Sequence, residues 1–235
     1  MQTDSGARCQ HVLTDFIWRH PEWWTVGLSA SVWLALAIRS TAHVHSPGAL
    51  VSWIHWLMMI AAMMLPLTIN ALRYTAERSL WRRRNRAIFS QLLGYCGVWA
   101  LAGLPLAVVS AAVGLPGRID WRVGASLGFL VAAVWLISPW KILAASLCHR
   151  TIPLAPRGWR ADRDCLHYGW GSGLFCLFNC WPFMLVCWLS SHSFLAMACG
   201  FIFGWVDRYC RPNYRRQSLL LACLALGFAV WARAV

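Results

Sequence analysis

Runs of apolar residues long enough to cross a bilayer recur along the chain, and each is followed by a polar, usually arginine-rich, connection. About 20 such residues in helical form span the ~30 Å hydrocarbon layer. Inside that layer only structures that satisfy their own backbone hydrogen bonds persist. The runs lie near residues 22–40, 48–72, 88–114, 121–147, 171–189, 192–206 and 217–234. They predict an all-α, polytopic transmembrane helical bundle of about seven spans. The sixth run, "HSFLAMACGFIFGWV", has only 15 residues, so 171–206 reads alternatively as a partly re-entrant hairpin, which leaves six spans.

Composition agrees with a chain that lives in lipid. Of its 235 residues, 59% are hydrophobic and 12% charged, and the mean hydropathy is +0.53. The formal charge of +13 would suggest nucleic acid in a soluble protein, but no soluble domain offers a basic face, and nucleic-acid binding is excluded from the expectation. Arginines instead collect beside the anionic cytoplasmic leaflet. Arg73, Arg78, Arg82, Arg83, Arg84, Arg86, Arg150, Arg157, Arg160, Arg163, Arg208, Arg211, Arg215 and Arg216 fall after the second, fourth and sixth runs. Arg39, Arg118, Arg122 and Arg233 fall on the other side. That asymmetry predicts a multi-pass protein with its N-terminus in the cytoplasm, its C-terminus outside and an odd number of spans.

Residues 1–21 read as a cytoplasmic amphipathic leader without the apolar run of a cleavable signal, and 22–235 as one transmembrane domain. Trp23, Trp24, Trp53, Trp56, Trp81, Trp121, Trp159 and Trp205 lie near span ends, where an indole N–H can stay among the headgroups. Gly124 and Gly128, four apart, invite close helix approach, whereas Gly94, Gly97, Gly103 and Pro105 predict a pliable or kinked third span. None of the ten cysteines falls in an outer connection, so a disulfide framework is not expected.

Two stripes carry soft-metal chemistry. At ~100° per residue, His55, Met59 and Met63 share a sector of ~80° on the second span; Met58 lies to one side and Met64 on the opposite face. On the fifth span Cys176, Cys180, Met184 and Cys187 share a similar sector. Counted from the apolar boundaries, Met63 and Cys180 sit at one depth, ~13 Å from the inner surface, so the stripes are expected to face each other. Thiolate, thioether and imidazole favour Cu(I), with zinc second. Packing is the competing explanation, because methionine fills irregular gaps and cysteine is a small buried hydrophobe.

Secondary ligand candidates are Met58, Lys141, Cys148 and Cys187. Lys141 reads as a snorkelling cation, with an ion pair to Asp207 as the alternative. His43 and His45 read as solvated loop residues, with a metal-collecting role as the alternative. No nucleophile elbow, zinc-protease helix, phosphate loop or dinucleotide fingerprint is present, so an enzyme is not expected.

Three segments, "WLMMIAAMMLP" (56–66), "ISPWKILAASLCHR" (137–150) and "GLFCLFNCWPFML" (173–185), resemble a bacterial family of predicted metal-binding integral membrane proteins. The resemblance implies a compact helical membrane protein with a metal site. It carries over to Met58, Met59, Met63, Met64 and Pro66, to Pro139, Lys141 and Cys148, and to Cys176, Cys180, Trp181 and Met184. This chain departs at Ala144 and Leu147, where relatives often have a cysteine and a histidine, and at Asn179, where they have a further cysteine. Three functions remain in view. One is copper handling or delivery; another is a non-catalytic assembly subunit of a larger membrane redox or transport complex; the third is a small transporter.

Overall fold

In the computed structural model, residues 19–39, 49–115, 118–148, 150–155, 157–210 and 213–234 are described. The leader's residues 1–18, His43, His45 and His149 lie outside them. The described residues fold as helices: α1 (Trp23–Arg39), α2 (Ala49–Leu67), α3 (Ile69–Arg78), α4 (Arg84–Val113), α5 (Trp121–Ile137), α6 (Pro139–Cys148), α7 (Gly158–Leu189), α8 (Phe194–Tyr209) and α9 (Tyr214–Ala234). A single 3₁₀ turn, Trp81–Arg83, leads into α4.

Among the described residues, four helices are long and apolar enough to cross a membrane, and five spans result if the bent pair α5–α6 counts as one. The seven expected runs all correspond to helices, but α1 and α8, of 17 and 16 residues, are too short to meet that measure. The fourth run is not one rod: α5 and α6 meet at 84°. Pro139 opens α6, and Ser138 Oγ accepts the Trp140 N–H at the corner, so the bend occurs where proline cannot extend the preceding helix.

Proline also explains how α1 is fastened. Pro66 has no N–H to give the carbonyl of Ala62, four residues back along α2. That oxygen instead accepts from Ser29 Oγ at 2.7 Å and Trp33 Nε1 at 2.9 Å, both on α1. The helix continues through the proline and breaks only at Thr68.

Helix α7 is the axis of the bundle, packed by α4, α5, α6 and α8. Small residues set the closest crossings. A Cβ on Gly169 would stand 1.9 Å from the Gln91 carbonyl oxygen, and one on Gly94 2.2 Å from that of Leu166. Gly124 and Gly128 meet Leu189 and Val186 in the same way, as their spacing predicts. Gly94 and Gly103 of α4 thus serve close approach, and the helix runs unbroken past Pro105. Gly103 makes room for Trp56, which departs from the interfacial role expected of it: the ring is buried and its Nε1 donates to the Trp99 carbonyl.

The arginine-rich connections gather at one end. Arg83 and Arg86 both pair with Asp162 near the start of α7, and Tyr74 OH donates to the Ile152 carbonyl. Arg73 pairs with the buried Glu22 at 2.6 Å. Apolar side chains such as Leu34, Leu50, Phe89, Val108, Leu130 and Leu219 stand exposed on the outer faces.

Candidate metal centre

The stripe residues of α2 and α7 meet inside one buried cluster that contains Met59, Met63, Cys176, Cys180, Met184 and Cys187, together with Met64 and Cys148. Met59, Met63 and Cys187 are fully buried. Met58 is half-buried. Met64, on the opposite face of α2, is buried within the bundle.

Cys176 and Cys180 are one turn apart on α7, and their sulfurs lie 3.9 Å from each other. Two sulfurs at that separation can each stand ~2.3 Å from a single ion with an S–metal–S angle of about 115°. Tyr95 OH donates to Cys176 Sγ at 3.0 Å, and Asn179 Nδ2 to Cys180 Sγ at 3.4 Å.

A second sulfur pair lies two turns along α7. Cys187 Sγ is 3.5 Å from Met63 Sδ, and its thiol also reaches the Phe183 carbonyl at 3.2 Å. Gly200 of α8 leaves space there, since a Cβ would stand 3.6 Å from Met63 Cε and 3.8 Å from Cys187 Sγ. Met63 thus meets Cys187, whereas depth counting had set it level with Cys180, roughly 10 Å away by helical rise. The reason is that α7 begins at Gly158 and α3 follows α2 directly after Thr68, so neither boundary lies where hydropathy changes.

Beneath the cysteine pair sits a buried ionic network. Lys141 Nζ donates to Asp207 Oδ2 at 2.6 Å and to Asn179 Oδ1 at 2.8 Å; Asn179 Nδ2 also donates to Asp207 Oδ2 at 3.0 Å. The snorkelling expected of Lys141 is thereby corrected. The bend at Pro139 turns α6 onto α7 and carries the ammonium inward, where its side chain is 0% exposed. Asn179 bridges this network to Cys180. Arg208 lies within electrostatic reach of Cys148, Cys176 and Cys180, and its Nη1 is buried without a hydrogen-bond partner.

The His55 ring stands 6.2 Å, centre to centre, from that of His192, in the turn between α7 and α8. Burial, and then the neighbouring His55 ring, pull the His192 imidazole down to about 4. Sequence reading missed His192 and Arg208, because each is isolated in sequence and only the fold brings it to its partners.

Among the described residues, no three His, Cys, Asp or Glu side chains converge as a metal-holding group. Closed zinc sites are built from four such ligands, so zinc, second in the sequence reading, gains no support. The sulfur pairs each mix two cysteines or a cysteine with a methionine.

Residues 53–235 match the family model PpoB2, described as copper chaperone. No curated protein and no solved structure matches the chain.

Proposed function

This chain belongs to the PpoB2 family of copper chaperones, and from that premise we propose that it is an integral membrane protein that holds Cu(I) as cargo between α2 and α7 and delivers it. The observation that carries this reading is the 3.9 Å separation of the Cys176 and Cys180 sulfurs. Cys176 and Cys180 form the principal pair and Met63 with Cys187 the second. Met59 and Met184 supply thioethers to the intervening stretch, and soft ligands of this kind suit Cu(I).

Charge balance supports the assignment. Two thiolates around Cu(I) carry a net charge of −1, and an uncompensated buried charge is costly. Lys141, Arg208 and Asp207 together carry +1. Lys141 and Asn179 fix the carboxylate, and Arg208 is left as the free positive partner for the loaded site. The chain's own residues therefore bind the ion, orient the thiols through Tyr95 and Asn179, and exclude water by the packing of α2, α4 and α8.

The exposed apolar faces are the surface offered to the lipid bilayer. In the proposed topology α1 and α8 complete seven spans in a bacterial inner membrane, with the arginine-rich end and the N-terminus in the cytoplasm. Recipient subunits of a larger membrane complex are the expected partners for delivery.

Anaerobic purification in detergent with metal quantitation tests the proposal. Copper retained by the wild type and diminished by Cys176→Ser with Cys180→Ser supports it; equal copper in both, or none in either, contradicts it.

A further inference from the structure

Ser191 and His192 are the two non-glycine residues with positive φ among the described residues, at 52° and 59°. For L-residues this left-handed conformation is strained, and such strain persists where the surroundings hold a side chain in a required place. Here the turn is held by the His192 N–H, which donates to the Cys187 carbonyl at 2.8 Å. Backbone strain at His192 thus sits directly on the residue that carries the second sulfur pair.

The imidazole so placed has a buried Nε2 with no hydrogen-bond partner. Its ring faces His55 with centres 6.2 Å apart and planes 36° apart. Two imidazoles bound to one ion at ~2.0 Å through nitrogen have ring centres about 5.5 to 6.3 Å apart as the N–metal–N angle opens from ~120° to linear. The observed separation fits the wide end of that range, the two-coordinate geometry open to a monovalent d¹⁰ ion.

Position gives the pair a role. His55 precedes Met63 by eight residues on α2, about 12 Å of rise, and His192 follows Cys187 by five, so the rings lie beyond the Met63–Cys187 pair, away from the arginine-rich connections. We infer that His55 and His192 form a second, nitrogen-based copper site at the mouth of the bundle, from which the ion passes to Met63 and Cys187 and then to Cys176 and Cys180. This inference rests on the copper-handling reading and adds a ligand type and a direction to it.

The test loads the full-length protein in detergent with two equivalents of Cu(I) under anaerobic reducing conditions and reads stoichiometry and the copper X-ray absorption first shell. His192→Asn is the variant of choice because asparagine tolerates the left-handed region; His192→Gly, which relieves the strain, serves if the asparagine variant loses helical circular dichroism. The expected result is loss of about one equivalent and of the nitrogen scatterers at ~2.0 Å, with sulfur scatterers retained. Cys176→Ser with Cys180→Ser gives the converse, with nitrogen retained and sulfur diminished. Unchanged nitrogen and stoichiometry in the His192 variants overturn this inference while leaving the sulfur site standing. Absence of sulfur from the wild-type shell overturns the copper-handling reading itself.

Discussion

The ammonium of Lys141 lies 2.6 Å from the carboxylate of Asp207, and their side chains are 0% and 1% exposed. Breaking such a buried pair from one side leaves an uncompensated charge and costs about 3–5 kcal/mol, whereas replacing both partners by apolar residues is often neutral. Lys141→Met alone is therefore expected to destabilise the protein by about that amount. Lys141→Met with Asp207→Leu recovers most of the loss. Denaturant unfolding of the wild type and the two variants in one detergent checks the prediction.

The α4–α7 crossing predicts opposite outcomes for two glycines. At Gly94 a methyl group would meet the Leu166 carbonyl oxygen at 2.2 Å, and Gly94→Ala is expected to cost at least the ~1–3 kcal/mol usual for overpacking. At Gly171, with nothing within 4 Å of the added Cβ, alanine is expected to be neutral or to stabilise α7 by up to about 1 kcal/mol. Thermal midpoints of the two variants separate the cases.

The carbonyl of Ala62, left open by Pro66, accepts from Ser29 and Trp33. Ser29→Ala is expected to cost about 1 kcal/mol. The cost falls in a Pro66→Ala background, where the restored N–H returns a partner to that oxygen. A double-mutant cycle in unfolding free energy measures the coupling; an additive result removes the assigned role of Pro66.

Arg208 stands beside the cysteines with its Nη1 buried and without a hydrogen-bond partner. Arg208→Gln is expected to weaken Cu(I) retention about tenfold, equivalent to roughly 1.4 kcal/mol, with Arg208→Lys close to wild type. Competition with a Cu(I) chelator reads the shift. Equal competition curves for Arg208→Gln and the wild type remove its role as counter-charge.

Much of the fold was legible because hydropathy and helical spacing report local requirements. Every apolar run is helical, the fourth in two pieces, and Gly124 and Gly128 mark a close crossing. What escaped depends on three-dimensional partners. The ends of the helices escaped because helices do not end where hydropathy changes: α7 begins at Gly158, well before the apolar stretch at 171. The same error shifted Met63 from Cys180 to Cys187. Lys141 was read as snorkelling because neither Asn179 nor the 84° bend between α5 and α6 is visible from its neighbours in sequence. The methionine and cysteine stripes were readable as ligand chemistry, yet their spacing could not distinguish packing from binding. The short sulfur–sulfur distances and the family match are what favour copper.

The most direct test is copper X-ray absorption on anaerobic protein loaded with one equivalent of Cu(I), comparing the wild type with Cys176→Ser and Cys180→Ser combined. The account predicts sulfur scatterers at ~2.3 Å in the wild type and their marked reduction in the variant. An identical first shell in both proteins, or a wild-type shell without sulfur, would contradict it.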